Sequence, residues 1–211
     1  MLLVIDNKTS NLNSVRNAFQ RIGVSVEQSS DPADVARASA LVLPGVGAYE
    51  KGMAGLRGEG LIDPIRRRVL EGGMPILGIC LGMQMLASSS EEHGDHSGLD
   101  LIPGRVKRLA PNDPAFRVPN IGWCDVMPTR ESVLFPAGVE ARSYYHVHSY
   151  FMACDNPEDS SAVMDFSGKA VTVAVERGNV FGTQFHPEKS QDAGLDMFER
   201  FVNHLKAQGH L

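Results

Sequence analysis

Cysteine is scarce in this chain: there are three in 211 residues, widely spaced and odd in number. That count excludes a disulfide framework and points to a reducing, cytoplasmic setting. No apolar run approaches the roughly 20 residues of a membrane-spanning helix. The N-terminus, Met1-Leu2-Leu3-Val4-Ile5-Asp6, turns polar too early for a signal peptide. Charge of one sign is also in short supply. A net charge of −5 gives no electrostatic case for nucleic acid or an anionic membrane as partner. The single basic cluster, Arg66-Arg67-Arg68, falls near the end of a predicted helix, where cations suit the dipole, and reads as a solvated face. Repeats, flexible linkers and phosphate-binding motifs are missing as well. What remains, 43% hydrophobic and 21% charged, is an ordinary globular composition, long enough for one domain with a substantial core.

The most informative stretch is Pro75-Ile76-Leu77-Gly78-Ile79-Cys80-Leu81-Gly82-Met83-Gln84-Met85-Leu86. Its first part reads as a short buried strand; Leu, Met and Gln after the break favour a helix. Cys80 stands at the break, inside Gly78-x-Cys80-x-Gly82. That is the pattern of a nucleophile elbow with cysteine in place of serine, a turn so sharp that glycine must fill the flanking positions. Such a turn lifts the sulfur out of the strand and sets it at a helix N-terminus, where free N–H groups favour a thiolate. A lone cysteine on an apolar strand is ordinarily a small hydrophobe; the paired glycines argue for a nucleophile here. Cys124 and Cys154 have no such surroundings and read as structural.

Taken in order, Leu2 to Ile5 forms a strand. A helix follows from an Asn11 cap, with Leu12, Val15, Phe19 and Ile22 on one face and Gly23 as its stop. Val24-Ser25-Val26 reads as a strand. Asp31-Pro32 opens a short helix to about Ala38, and Ala40 to Leu43 is a third strand. It runs into the glycine loop Pro44-Gly45-Val46-Gly47-Ala48-Tyr49. A helix bearing Ile62, Ile65 and Val69 then ends at Gly72-Gly73, before the elbow strand. This alternation indicates a parallel sheet with helices on both faces. Ligands in such sheets bind beyond the strands' carboxyl ends, where Asp6, the Pro44–Tyr49 loop and Cys80 are expected to converge.

Beyond the elbow, Ser88 to Gly98 reads as a polar loop. Its His93, Asp95 and His96 lack zinc-ligand spacing, so no metal and no cofactor is expected. Short strands punctuated by Pro and Gly follow: Arg105–Leu109, Ile121–Val126, Tyr144–Tyr150 and Val171–Val175. Val171–Glu176 and Val180–Phe185 flank a hairpin turn at Arg177-Gly178-Asn179. A last helix carries Leu195, Phe198, Val202 and Leu205 inward, leaving His204 and His210 exposed.

A cysteine nucleophile needs a base, and the base needs an orienting group. Of seven histidines, His186 follows a β-branched and aromatic strand and precedes Pro187-Glu188. In an extended backbone His186 and Glu188 share a face, and Pro187 stiffens the pair. The carboxylate can then hold one ring nitrogen and leave the other for the sulfur. His146 and His148 have no carboxylate at that spacing. A strand-end histidine with purely local partners is the competing reading of His186.

Together, Gly78-Ile79-Cys80-Leu81-Gly82-Met83-Gln84 and Phe185-His186-Pro187-Glu188 resemble the triad, or class I, glutamine amidotransferases. Pro44-Gly45-Val46-Gly47 looks like that family's oxyanion loop. Pro119-Asn120-Ile121-Gly122-Trp123, Tyr145-His146-Val147-His148-Ser149-Tyr150 and the extension Lys189-Ser190 resemble one branch, the glutaminase subunits of imidazole glycerol phosphate synthase. Where that branch usually has a glycine-bearing loop after the first strand, this chain has Asp6-Asn7-Lys8-Thr9-Ser10-Asn11-Leu12.

The resemblance implies one amidotransferase domain over residues 1–211. The implied fold is α/β and flavodoxin-like, a mixed, mostly parallel sheet with helices on both faces and a smaller antiparallel region. It implies glutamine hydrolysis by Cys80, His186 and Glu188, with backbone N–H groups of Val46, Gly47 and Leu81 as the oxyanion hole. Gln84, Ser149 and Tyr150 would hold glutamine. The implied partner is a (β/α)8-barrel cyclase subunit that receives the ammonia in histidine biosynthesis, with Asn11, Trp123 and Lys189 near the interface. Activity is expected to be weak until the cyclase binds its own substrate. A glutaminase feeding another synthase, a cysteine peptidase and a non-catalytic binding protein remain open as alternatives.

Overall fold

A computed structural model describes residues 1–8 and 12–211. The first half of the chain contains β1 (Leu2–Ile5), α1 (Leu12–Arg21), β2 (Glu27–Ser29), α2 (Pro32–Arg37) and β3 (Ala40–Gly45). Two helices, α3 (Tyr49–Gly58) and α4 (Ile62–Leu70), lead to β4 (Ile76–Cys80) and the short α5 (Leu81–Met85). Next come β5 (Ala87–Ser90), β6 (His96–Ser97), β7 (Ile102–Arg108), β8 (Asn120–Pro128), β9 (Arg142–His148) and β10 (Tyr150–Cys154). The chain closes with β11 (Ser160–Phe166), β12 (Lys169–Arg177), β13 (Val180–Thr183) and α6 (Gln191–Ala207).

Among the described residues the strands form two sheets. The larger has the order β2-β1-β3-β4-β13-β12-β11-β8-β9, the smaller β10-β7-β5-β6. In the large sheet β2 through β13 pair in parallel, and from β13 to β9 every pairing is antiparallel. The fold is therefore α/β around a mixed sheet. Its antiparallel part continues the parallel part through the β12–β13 hairpin, and the smaller sheet supplies the separate, mainly antiparallel region that was expected.

Strand alternation divides the core in two. Leu2, Val4, Val42, Leu77 and Ile79 face α1 and α6, where the Phe19 and Phe198 ring centroids lie 4.5 Å apart. Leu3, Ile5, Leu41, Leu43 and Ile76 face α3, α4 and α5. Helices thus cover both faces, as the near-continuous apolar reading of the parallel strands demands. No helix among the described residues is long and apolar enough to cross a membrane.

Several expectations need correcting. Val24–Val26 is not the second strand; β2 starts at Glu27, which pairs with Leu3 of β1, and the two valines instead pack partly buried against the core. Helix α3 escaped a pattern reading because Gly52, Gly55 and Gly58 lower its propensity. Gly55 is needed for contact: a Cβ there would lie 2.4 Å from the Asn7 carbonyl oxygen. Part of the expected polar loop 88–98 pairs as β5 and β6. Tyr144–Tyr150 splits into two strands at Ser149, which belong to different sheets. His204 is half-buried, its ring 5.5 Å from that of Phe181, and His210 is half-buried as well. Of the arginine cluster, Arg68 is tied to the Ala38 carbonyl at 2.8 Å and Arg66 to that of Leu99.

Candidate active site

The elbow is built as its glycines suggested. Cys80 has φ 55° and ψ −111°, a conformation costing a non-glycine residue on the order of 1–3 kcal/mol. The neighbouring backbone leaves no room for side chains. A Cβ on Gly82 would lie 1.7 Å from the Leu43 oxygen, and one on Gly78 would lie 2.7 Å from the Met83 nitrogen. The strain aims the sulfur into a cavity of about 290 Å³ at the carboxyl ends of β3 and β4. Because Gly45 pairs with Cys80 across these strands, the loop after β3 starts beside that cysteine. Val46, Gly47 and Leu81 therefore line the same cavity as Cys80.

His186 arrives from the next strand. Its Nδ1 lies 2.8 Å from Glu188 Oε1, and both side chains are almost fully buried. The pairing is as expected but its backbone is not. Pro187–Lys189 is a turn of 3-10 helix, and that turn swings the carboxylate back onto the ring. Ser190 locks the turn: its hydroxyl accepts from the Tyr145 N–H at 3.0 Å and donates to the His186 carbonyl at 2.6 Å. The second ring nitrogen is left for Cys80. Burial works against a charge on His186, yet hydrogen bonds to Cys80 and Glu188, and the charges of both, push its pKa up to about 10. An imidazolium facing the sulfur is therefore the favoured form at neutral pH.

His146 and His148 behave oppositely. Burial, reinforced by the nearby imidazoles, pushes His146 down to about 3. Burial likewise lowers His148 to about 4, against a hydrogen bond to the Tyr150 carbonyl that favours its charge. Both are neutral at pH 7, so of these three buried imidazoles His186 alone favours the charged form. His148 Nδ1 is 2.9 Å from the Tyr150 oxygen, and His146 Nδ1 is 3.2 Å from His148 Nε2. A carbonyl can only accept, so His148 donates from Nδ1 and receives from His146.

The remaining expected residues also meet here. Gln84, Ser149, Tyr150 and Lys189 line the cavity. Trp123 lies outside it, half exposed on β8. Asn11 falls outside the described residues, as do Thr9 and Ser10 of the unusual first loop. Lys8 takes a left-handed φ of 61°, and Asn7 Nδ2 donates to the Pro44 oxygen at 3.0 Å. Asp6 does not line the cavity; its Oδ1 accepts from the Lys8 N–H.

Two residues with functional positions had no sequence signal. Glu92 was hidden in an apparent surface loop; it is buried, lines the cavity, and its Oε2 accepts the Tyr49 N–H at 2.9 Å. Gln184 is fully buried, with Nε2 3.8 Å from the Cys80 sulfur.

A strained cysteine, an oriented imidazolium and a glycine loop lining one cavity are the parts of an acyl-transfer site. The profile described as "Glutamine amidotransferase class-I" matches residues 3–205, and the chain belongs to that family. Relatives narrow the placement to the HisH subunits of imidazole glycerol phosphate synthase. The HisH subunit of Moorella thermoacetica is 42% identical over 99% of each chain. That of Methanothermobacter thermautotrophicus is 43% identical over 98% of this chain and 100% of its own. Among solved structures, a glutamine amidotransferase aligns with TM-score 0.75 at 20% identity over 98% of both chains. The glutaminase domain of Trypanosoma brucei CTPS with bound acivicin aligns with TM-score 0.64 at 18% identity, covering 96% of this chain and 93% of its own. At such identities these two speak to fold.

Proposed function

We propose that this chain is the glutaminase subunit of imidazole glycerol phosphate synthase, residues 1–211 acting as one domain that hydrolyses glutamine and passes the ammonia on. The Cys80 thiolate attacks the side-chain carboxamide carbon, and the negative oxygen that forms is met by the N–H groups of Leu81 and the Val46–Gly47 loop. Loss of one such donor costs on the order of 3 kcal/mol in barrier height. His186 passes its proton to the departing ammonia, leaving a thioester on Cys80. It then takes a proton from water, whose oxygen attacks the thioester and releases glutamate and the thiolate. Glu188 holds the imidazole throughout. Gln84, Ser149 and Tyr150 hold the amino-acid end, and the Glu92 carboxylate supplies the negative charge that the α-ammonium group needs. The observation that carries the reading is His186, held by Glu188, and Cys80 lining one cavity together with Glu92.

Ammonia released into water is mostly protonated near neutral pH and is then no nucleophile, so a receiving subunit must cover the site. The surface beside the cavity suits one. On β8 Ile121 is 61% exposed and Trp123 50%. Their partners across to β9 are Val147, which lines the cavity, and Tyr145. An outward apolar face at the edge of a sheet marks a docking surface. We assign it, with Lys189 at the cavity mouth, to the (β/α)8-barrel cyclase. Cover by that partner also fits weak activity in isolation and a rise when the cyclase binds its own substrate.

The test is glutamate release from glutamine by the isolated chain and by its complex with the cyclase, for the wild type and Cys80→Ala. Turnover that requires Cys80 and rises with the cyclase supports the proposal. No turnover under either condition overturns it, and turnover surviving in Cys80→Ala overturns the site. Stimulation by a different synthase alone would move the chain to another branch.

A further inference from the structure

The Cys80 sulfur has a neighbour that the triad does not use. Gln184 lies one residue past β13 and two before His186, with its side chain fully buried. Its Nε2 is 3.8 Å from Cys80 Sγ, within range for a hydrogen bond to sulfur, and its Oε1 is 3.0 Å from Gln84 Nε2. The orientation of a side-chain amide must be argued from its partners. Here the partners leave one solution. Gln84 Nε2 lies 3.1 Å from the Tyr150 backbone oxygen, which can only accept, so that end of Gln84 must be its NH2 group. The Gln184 atom facing the same NH2 group must then be the carbonyl. Its own NH2 is thereby forced toward the sulfur. The Tyr150 carbonyl thus sets the direction of two amides in series, and the series ends in an N–H donor at the reacting atom.

The donor has a purpose where it sits. The sulfur also lies 3.9 Å from the Val147 carbonyl, a contact that suits a thiol but repels a thiolate. An N–H on the same sulfur favours the thiolate, because hydrogen bonds to a charged acceptor are about twice as strong as neutral ones. We propose that Gln184 is a catalytic residue: its side-chain N–H, fixed by Gln84 and the Tyr150 carbonyl, holds Cys80 as the thiolate before attack and steadies the thiolate leaving the thioester. Because the same Gln84 amide borders the glutamine cavity, substrate that engages Gln84 would tighten this donor as well. The inference builds on the glutaminase reading for its second half and on geometry alone for its first.

The test is the pH dependence of Cys80 alkylation by iodoacetamide, with Cys80→Ala run as a blank for Cys124 and Cys154. Gln184→Met keeps the length of the side chain and removes the donor. Glu92, His148, His186 and Lys189 line the same cavity, and this substitution leaves the charge of each in place. The expected result is a midpoint raised by about one pH unit, the shift that follows from losing one hydrogen bond to a charged atom. With glutamine, the acid limb of kcat/KM moves up by the same amount and kcat falls about tenfold. Should Gln184→Met fail to fold, Gln184→Leu also removes the donor without adding a charge, and its midpoint must also rise. An unchanged midpoint in a folded variant overturns the proposal, even if activity falls. Alkylation needs no glutamine, so a wild type that fails to hydrolyse glutamine sinks the glutaminase reading while this profile still judges Gln184.

Discussion

The carboxylate of Glu92 accepts the backbone N–H of Tyr49 at 2.9 Å, tying the wall of the substrate cavity to the first residue of helix α3. Tyr49 follows directly on the Val46–Gly47–Ala48 loop. On the proposed reading, one carboxylate can therefore serve both the ammonium group of a bound amino acid and the placement of the proposed oxyanion donors. Gln at position 92 keeps an acceptor for the Tyr49 N–H but loses the charge; Ala loses both. We expect Glu92→Gln to raise KM for glutamine about tenfold with kcat little changed. Glu92→Ala should raise KM similarly and lower kcat as well. Steady-state kinetics of the two variants give the comparison, and equal kcat values in both would remove the link to the loop.

Among the described residues the Glu188 carboxylate pairs with the His186 ring, and its proposed role runs through that contact. Glu188→Gln preserves size but removes the charge that holds the imidazolium. The expected outcome is a fall in kcat of about a hundredfold or more with KM nearly unchanged, since the lost interaction matters to proton transfer and not to binding. A variant retaining full kcat would show that the 2.8 Å contact is only structural.

Stability should depend on pH in both directions around neutrality. His146 and His148 titrate near 3 and 4 when folded, against about 6.5 in the unfolded chain. Between those values the unfolded state binds more protons, so stability falls as the pH drops below 6.5, by about 1.4 kcal/mol per unit for each histidine. His186 has the opposite sign. Raised to about 10, it contributes stability that is complete below pH 6.5 and is lost as the pH climbs toward 10. Urea unfolding across this range should show a maximum near pH 6.5. His146→Gln should roughly halve the acid slope; an unaltered slope would mean that His146 is not buried neutral.

The elbow tolerates no Cβ at its second glycine. Gly82→Ala sets a methyl 1.7 Å from the Leu43 oxygen, where the approach is to backbone and cannot be relieved by a rotamer. A loss of about 3 kcal/mol or more is expected, with loss of glutamine turnover. Gly58→Ala is the control: nothing lies within 4 Å of its added Cβ, and the residue ends helix α3. It should be neutral or stabilise by up to about 1 kcal/mol. Chemical denaturation separates the two.

Trp123→Ala should spare the basal glutaminase rate of the isolated chain and weaken binding of the cyclase about tenfold or more, because a half-exposed aromatic at a docking face is a typical anchor. A titration followed by the rise in glutamate release reads both quantities. Unchanged affinity would move the interface elsewhere on the surface.

The local features carried most of what could be read from the chain. The elbow was legible because glycine on both sides of a cysteine has a steric cause, now visible at Leu43 and Met83. The His186–Glu188 pair was legible from spacing, although the turn that joins them is helical and not extended. Glu92 was illegible because Ser88–Gly98 is polar and periodicity cannot show that β5 and β6 tuck one of its carboxylates inward. Helix α3 was missed for a related reason: its glycines serve contacts with Asn7 and Met85 that no local pattern encodes.

By itself, then, the sequence singled out Cys80, His186 and Glu188 as the proposed nucleophile, base and orienting group, and the alternation of strand and helix that brings the carboxyl ends of the strands together. These follow from backbone sterics and side-chain chemistry over a few residues. Only the tertiary structure decided which neighbours the sulfur has. Gln184 beside Cys80, Glu92 beneath Tyr49, and the neutral histidines on β9 depend on strand order and on burial, and both arise from contacts between segments far apart in the chain.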